Sequence, residues 1–233
     1  MRILALVVAR GGSKRVPGKN LRLLGGRPLV QWTVDTARSV TELCDVLLST
    51  DDPAIAEVGR ARGALVPWLR PATLATDTAT AVDVALHALN WYEHECGQVE
   101  GLLLLQPTSP FRTAQTVRRT IASFTEHHSR PVVAVAPAAD HPLSSFRIVD
   151  DVLLPFVEGG GLELRSQDLQ PAYVPSGTTY LITPADLRTR RSFYGPEVVP
   201  VVVDDPVERL DIDTPWDWTV AEAVVASRSG AWT

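Results

Sequence analysis

The feature that most constrains the fold is a short apolar run that passes directly into a basic, glycine-rich loop. Residues 3–8 are apolar throughout, which predicts a buried first strand. Residues 10–20 read Arg-Gly-Gly-Ser-Lys-Arg-Val-Pro-Gly-Lys-Asn, and Pro28 is well suited to the first turn of the helix that follows. The basic segment is therefore a strand-to-helix loop.

Both lysines of the chain, Lys14 and Lys19, lie in this loop, although the formal net charge is -5. Glycine lets backbone N–H groups approach a ligand closely, and cationic side chains donate strong hydrogen bonds to phosphate oxygens, so the loop predicts a polyphosphate site. It is not a P-loop, because five residues separate Gly12 from Gly18 and Lys19 is followed by Asn20. The dinucleotide pattern G-x-G-x-x-G is also absent. A solvated basic turn without a ligand is the alternative.

Apolar strands alternate with crossover helices over most of the chain. Further strands are predicted at residues 46–48, 64–66, 102–105, 131–136, 178–182 and 198–203. Helices are predicted to begin near Pro28, Pro53 and Pro215, and another after Asp77 or Thr78, either of which can cap it. This alternation predicts an α/β fold with a doubly wound, mostly parallel sheet.

Residues 137–177 interrupt the alternation. Helical periodicity fades there, proline and glycine become frequent, and short β runs occur at 146–149 and 152–154. We therefore predict one domain over residues 1–233, with residues 137–177 as an inserted, projecting arm. Because the arm has little apolar periodicity of its own, we expect a second copy of the chain to stabilise it in a two-fold dimer.

Composition excludes several classes of protein. The sequence pI is about 5.5 and no basic stripe exists outside the loop, which argues against a nucleic-acid surface. No stretch approaches the ~20 apolar residues of a membrane span. Cys44 and Cys96 match no metal or redox spacing, as is typical of reduced thiols. We expect a cytoplasmic protein that binds neither nucleic acid nor membranes.

Two acidic residues close to the last predicted helix form a candidate metal site. In an extended segment, side chains two residues apart project to the same side, so Asp211 and Asp213 would present paired carboxylates. Such a pair suits Mg²⁺, which prefers oxygen ligands and shares its shell with substrate phosphates. Alternatively, Asp213 stabilises the helix start and Asp211 lies in a turn.

A second polar loop, residues 106–112, follows the predicted strand at 102–105. Its two prolines fix the turn and leave several side chains to present polar groups at the sheet edge: Gln106, Thr108, Ser109 and Arg112. A rigid loop that only precedes the next helix is the alternative.

Four segments together resemble the N-acylneuraminate cytidylyltransferases, which make CMP-activated sialic acids and related sugar acids. They are the basic loop at 10–20, Leu-Arg-Pro to Thr-Asp-Thr at 69–78, Leu-Gln-Pro-Thr-Ser-Pro at 105–110, and Asp-Ile-Asp-Thr at 211–214. The resemblance covers nearly the whole chain and keeps the family's order of motifs.

This resemblance implies a Rossmann-like, CTP-dependent transferase that uses Mg²⁺, acts on a small acidic acceptor and forms a homodimer. The implied nucleotide-binding residues are Arg10, Gly11, Gly12, Ser13, Lys19, Asn20, Arg70 and Ala79. The implied acceptor-binding residues are Gln106, Thr108, Ser109, Arg165, Tyr180 and Phe193. Arg10, Lys19 and Asp211 are the implied catalytic residues, and Asp211 and Asp213 the implied metal ligands.

The chain departs from the family pattern in the arm. Ser166 and Val174 stand where relatives usually have arginine, so the default acceptor, a sialic-acid-like sugar acid, has a close alternative in a small phosphonate. Arg165 is a possible replacement for one of the missing cations. Two other classes compete with this interpretation: a glycosyltransferase that uses the Asp-x-Asp pair, and a protein that binds CTP without turnover.

Overall fold

The computed structural model describes residues 1–161, 165 and 168–227. Within these residues the strands are β1 (Ile3–Val8), β2 (Leu23–Leu24), β3 (Arg27–Pro28), β4 (Leu43–Ser49), β5 (Gly101–Leu105), β6 (Val132–Pro137), β7 (Phe146–Val149), β8 (Val152–Pro155), β9 (Tyr173–Ile182) and β10 (Val199–Val202). The helices are α1 (Leu29–Arg38), α2 (Pro53–Ala61), α3 (Ala81–Cys96), α4 (Ala114–Glu126), α5 (Pro184–Arg190) and α6 (Pro215–Ser227).

Six of the described strands form one sheet in the order β10-β6-β9-β5-β1-β4, and β2-β3 and β7-β8 form two separate pairs. β1 pairs in parallel with β4 on one side and with β5 on the other, and β10 is parallel to β6, whereas β9 is antiparallel to both of its neighbours. The predicted α/β class with a doubly wound, mostly parallel sheet is confirmed. The chain leaves β1 in both directions across the sheet, so the carboxyl ends of β1 and β5 border a crevice at a topological switch point.

Both faces of the sheet are covered, which explains the unbroken apolar strands. Along β1, Ile3, Ala5 and Val7 pack on one face against α1, α2 and α4, while Leu4 and Leu6 pack on the other against α3 and α5. This alternation follows from the two-residue period of a strand. The loops at the strand ends therefore extend from a rigid, dry support.

Several local predictions need correction. The predicted strand at residues 64–66 contributes only an isolated bridge between Leu47 and Leu65. Helix α3 is capped by Thr80, whose hydroxyl accepts the Asp83 N–H at 3.1 Å, and not by Asp77 or Thr78. Asp77 is not free to cap because basic side chains of the 10–20 loop occupy its carboxylate.

In the region predicted as the arm, β7 and β8 pair with each other as a hairpin. Ile148 and Phe156 are 74% and 68% exposed there. Strand β9 begins at Tyr173, so residues 173–177 of the predicted arm belong to the main sheet, where they pair with β6. Of the two departures from the family pattern, Val174 lies in this strand and is exposed, whereas Ser166 is outside the described residues.

Candidate active site

The basic loop after β1 is closed by hydrogen bonds to its own backbone and to β4. Asn20 is buried and its Nδ2 donates to the Arg10 carbonyl at 2.8 Å. The Gly11 N–H donates to Asp51 Oδ1 at 3.0 Å, and a Cβ at Gly11 would lie 2.9 Å from Asp52 Oδ2. Glycine is therefore needed at position 11, whereas a Cβ at Gly12 would meet open space.

Lys19 joins the loop to the predicted metal segment. Its Nζ donates to the Ile212 carbonyl at 2.7 Å and lies 3.3 Å from Asp213 Oδ1, and its side chain is only 12% exposed. Arg15 reaches the other oxygen of Asp213 at 3.4 Å from the solvent side. The fold thus brings together two segments that are almost 200 residues apart in sequence.

Arg10 and Lys14 are held from the opposite side by Asp77. Arg10 Nη1 lies 2.9 Å from Asp77 Oδ1, and Lys14 Nζ lies 2.5 Å from Oδ2. The hydrogen bond from Lys14, and after it the one from Arg10, lower the pKa of the Asp77 carboxyl. The sequence analysis did not predict this contact, because the residues around Asp77 resemble a family motif but do not indicate which cations pair with its carboxylate.

These side chains enclose a cavity of about 340 Å³. It is lined by Arg10, Ser13, Lys14, Arg15, Val16, Lys19, Asp77 and Asp213. The four cationic and two acidic side chains leave an excess of two positive charges, so the cavity attracts a polyanion.

A neighbouring cavity of about 280 Å³ contains Arg10, Arg70 and Ala79 in its lining. Arg70 is buried, its Nε donates to Ser49 Oγ at 3.0 Å, and its Nη2 donates to the Ser49 carbonyl. Burial lowers the pKa of Arg70 to about 10, so the side chain keeps its charge at neutral pH. Three predicted nucleotide-binding residues thus border one cavity that adjoins the cationic one at Arg10.

Asp211 and Asp213 lie on either side of Ile212, which points into the core, and both acidic residues are exposed. Ile212 is fully buried beside Trp218 and Phe111, and its N–H donates to the Thr108 carbonyl at 2.7 Å. The segment 211–213 is therefore fixed by packing and by the 106–112 loop at once.

The pKa of Asp211 is raised. The carboxylate is open to the crevice on one side, but protein atoms surround the rest, and loss of hydration is the main cause of the shift. A hydrogen bond with the Thr108 side chain acts in the opposite direction, while the charge of Asp213 raises the pKa further. Lys19, which lies beside Asp213, lowers the pKa of Asp211 but does not reverse the shift.

A buried arginine, Arg112, supports the 106–112 loop through hydrogen bonds. Arg112 donates to the Gln106 carbonyl at 2.9 Å, to Thr33 Oγ1 at 3.3 Å and to the Thr178 carbonyl. Burial lowers its pKa to about 10. Arg112 therefore supports the loop instead of presenting its charge to the crevice.

Gly177 lies close to both Ser109 and Asp211. The sequence analysis did not identify it as a site residue. Its φ is +76°, and a Cβ there would lie 2.8 Å from Ser109 Oγ and 3.6 Å from Asp211 Cγ. The Ser109 hydroxyl is buried and has no hydrogen-bond partner in the described part of the chain. Thr108 and Ser109 thus lie on the Asp211 side of the crevice.

Three more of the predicted acceptor residues, Gln106, Tyr180 and Phe193, line an aromatic cavity of about 360 Å³. Its lining is Thr80, Ala81, Val82, Leu104, Gln106, Tyr180, Arg191, Ser192, Phe193 and Tyr194. The Tyr180 ring packs edge-on against Phe193 and Tyr194, with centroids 6.1 and 6.0 Å apart. Arg165 is exposed and is not brought to this lining.

Tyr180 links the aromatic cavity to the carboxylates. Burial is the largest cause of its raised pKa, Tyr194 is next, and the negative charge of Asp211 acts in the same direction. The cationic cavity lies on the Asp213 side of segment 211–213, and the aromatic cavity is coupled to it through Asp211.

The set of side chains that could bind a metal near Asp211 and Asp213 is small. Among the described residues, no cluster of three or more histidine, cysteine, aspartate or glutamate side chains is placed to hold a metal. Two carboxylates do fit Mg²⁺, which is usually held by one or two protein carboxylates and by substrate phosphates. No helix in the described ranges is long and apolar enough to cross a membrane.

Comparisons with known proteins show the family and the fold of the chain. A family model for cytidylyltransferases matches residues 4–144. The CMP-N,N′-diacetyllegionaminic acid synthase of Legionella pneumophila is 37% identical over 235 residues, which cover 97% of each chain. The N-acylneuraminate cytidylyltransferase of Streptococcus agalactiae serotype V is 30% identical over 83% of this chain, which spans 46% of that longer protein. The solved structure of CMP:2-keto-3-deoxy-manno-octonic acid synthetase complexed with CTP covers 97% of this chain with a TM-score of 0.72 at 17% identity, and so shares its fold.

Proposed function

This chain belongs to the cytidylyltransferase family that includes the N-acylneuraminate cytidylyltransferases, and we propose that it transfers CMP from CTP to a sugar acid of the sialic-acid type, with release of pyrophosphate. It is a nucleotidyltransferase, as its relatives are. One observation carries the proposal: the contact of Lys19 with Ile212 and Asp213, which joins the cationic cavity to the paired carboxylates.

The cationic cavity suits the triphosphate of CTP. Arg10, Lys14, Arg15 and Lys19 supply charge-assisted donors of the kind that phosphate oxygens prefer. Asp77 holds two of these side chains in place, so the triphosphate has to compete with the Asp77 carboxylate for them. The adjoining cavity at Arg70 and Ala79 is where we propose that the cytidine part binds.

Asp211 and Asp213 are the proposed ligands of Mg²⁺. They flank the buried Ile212, and desolvation, with a smaller contribution from the charge of Asp213, raises the pKa of Asp211. A cation at this position would remove that repulsion, which supports the assignment. When bound, Mg²⁺ polarises a phosphate and neutralises charge that develops on it.

The proposed reaction is an in-line displacement at the α-phosphorus. The acceptor hydroxyl oxygen bonds to this phosphorus, the bond to the bridging oxygen of pyrophosphate breaks, and the hydroxyl proton is released to water. Lys19 and Arg10 hold the negative charge of the leaving pyrophosphate, and Gln106 and Tyr180 orient the acceptor from the aromatic cavity. Positioning and electrostatics carry most of the rate enhancement in such transfers.

The β7–β8 hairpin supports a proposal about assembly. Its apolar side chains are exposed over consecutive positions, including Ile148, Leu153 and Phe156. An exposed apolar surface of this kind marks an interaction site, and we propose that a second copy of this chain covers it in a two-fold homodimer. An activity that consumes CTP depends on the cytoplasmic nucleotide pool, so we propose that the enzyme acts there.

Pyrophosphate release from CTP and Mg²⁺, measured across a panel of acceptors, tests the proposed function. The panel contains N,N′-diacetyllegionaminic acid, N-acetylneuraminate, 2-keto-3-deoxy-manno-octonic acid and a small phosphonate. We expect release with at least one of the sugar acids and preference for CTP over ATP, GTP and UTP. Release with the phosphonate alone would replace the sugar acid by the phosphonate, and release with no acceptor of the panel would refute the proposal.

A further inference from the structure

Among the described residues that line the aromatic cavity, Arg191 is the single charged one. The other lining side chains are aromatic, aliphatic or neutral and polar. A cation at the wall of a largely neutral cavity needs an explanation, because its charge is only partly hydrated there.

Arg191 is held at this wall by backbone and side-chain contacts. It ends helix α5 in the left-handed conformation, with φ 52° and ψ 36°, and its N–H donates to the Leu187 carbonyl at 3.0 Å. Its Nη2 forms an ion pair with Asp83 Oδ1 at the start of α3. Asp83 is itself fixed, because its Oδ2 accepts the Thr80 hydroxyl at 2.6 Å.

The contact with Asp83 leaves most of the guanidinium available. A guanidinium has five N–H donors, and the pairing with Asp83 runs through one nitrogen. The Arg191 side chain is 57% exposed, and Arg191 is one of the residues that line the cavity. A second carboxylate can therefore bind without displacing the first.

The neighbouring Arg188 shows that this arrangement is specific to position 191. Arg188 also ties α5 to α3, through Asn90 Oδ1 at 3.0 Å and the Glu93 carboxylate. It is absent from the cavity lining. The two arginines thus make similar interhelix ion pairs, but only Arg191 borders the space that the acceptor would occupy.

We infer that Arg191 binds the carboxylate of the acceptor, an inference that rests on the proposed function. The carboxylate is the charged group of a sugar acid, and an enclosed carboxylate requires a cationic or multiply hydrogen-bonded partner. Positions 166 and 174 hold serine and valine, and Arg165 does not line the cavity of its own chain. Arg191 therefore takes the role for which the sequence suggested Arg165.

Steady-state kinetics with N,N′-diacetyllegionaminic acid and its methyl ester, which lacks the negative charge, test the inference. For the acid, R191Q should raise KM about 10-fold, at the lower end expected for loss of one charged hydrogen bond at a partly exposed site, with kcat and the KM for CTP nearly unchanged. For the ester, the same substitution should change KM less than twofold. R188Q is the matched control and should leave both values unchanged, and R191K should recover part of the loss.

Three outcomes would overturn the inference. The first is a folded R191Q enzyme with an unchanged KM for the acid. The second is an equal penalty for acid and ester, which would show that Arg191 only supports the wall of the cavity. The third needs no variant: a wild-type enzyme that uses the ester as well as the acid does not recognise the carboxylate by charge. A wild-type enzyme inactive with every sugar acid would refute the proposed function instead.

Discussion

Replacement of Lys19 by methionine tests the junction between the cationic cavity and the carboxylates. Methionine keeps an unbranched stem of similar length but removes the charge and the donor. In the structure, Lys19 Nζ makes the 2.7 Å contact with the Ile212 carbonyl and the 3.3 Å contact with Asp213. The substitution therefore removes a cation that faces both the bound triphosphate and the proposed metal ligands.

The size of the effect follows from the burial of this side chain. At 12% exposure, water screens the Lys19 charge poorly, so a charge-assisted hydrogen bond to a phosphate is worth about 1.5 to 3 kcal/mol. This corresponds to about a 10- to 150-fold loss in kcat/KM for CTP. The loss in folding stability should be smaller, about 1 to 2 kcal/mol, because the ion pair with Asp213 is partly exposed.

The assay is the initial rate of pyrophosphate release at saturating acceptor and Mg²⁺ with CTP varied, together with a thermal melt. A change of about 2 to 8 °C in Tm accompanies a stability loss of this size in a domain of this length. R22Q is the control, since Arg22 lies just beyond the loop, stacks on Trp218 and is not in the cavity lining. A folded K19M enzyme whose kcat/KM for CTP lies within twofold of wild type would refute the assignment of the loop to the triphosphate.

Three further predictions concern the metal, the loop and the arm. Replacement of Asp211 or Asp213 by Asn should lower turnover at least ~10²-fold while the melt stays cooperative, because the metal contributes several kcal/mol to the transition state; near-normal turnover in both variants would contradict the metal assignment. Replacement of Asp77 by Asn removes a competitor for the triphosphate and should lower the KM for CTP, and a raised KM would show that Asp77 serves only to position the cations. Because folding lowers the pKa of the Asp77 carboxyl, the stability that Asp77 contributes is present above the unfolded pKa and is lost as the pH falls through the folded pKa. The difference in Tm between wild type and D77N should therefore disappear in melts at acid pH. Light scattering at micromolar concentration should give the mass of two chains, and Ile148→Asp in the exposed hairpin should shift it toward one; a wild-type mass of one chain would refute the dimer.

The sequence predicts those parts of the site that local patterns determine. The loop at 10–20 follows a buried strand, as the apolar run at 3–8 predicts, and a shared side for Asp211 and Asp213 stays a prediction from the geometry of an extended segment. It does not predict which distant partners neutralise each charge. Asp77 meets the loop, and Arg191 meets the aromatic cavity, through tertiary contacts between segments whose sequence patterns carry no information about each other.

Ile212 shows how a short segment comes to depend on contacts with distant parts of the chain. Its side chain lies between the two exposed acidic residues and is buried in the core beside Trp218 and Phe111. Its backbone is held by two segments that are distant in sequence. The Ile212 N–H donates to the Thr108 carbonyl, and the Ile212 carbonyl accepts a hydrogen bond from Lys19 Nζ. One buried side chain thus sets the position of both loops relative to the carboxylates. The relative position of the proposed triphosphate site and the aromatic cavity therefore depends on core packing, which is rigid, as well as on the loops.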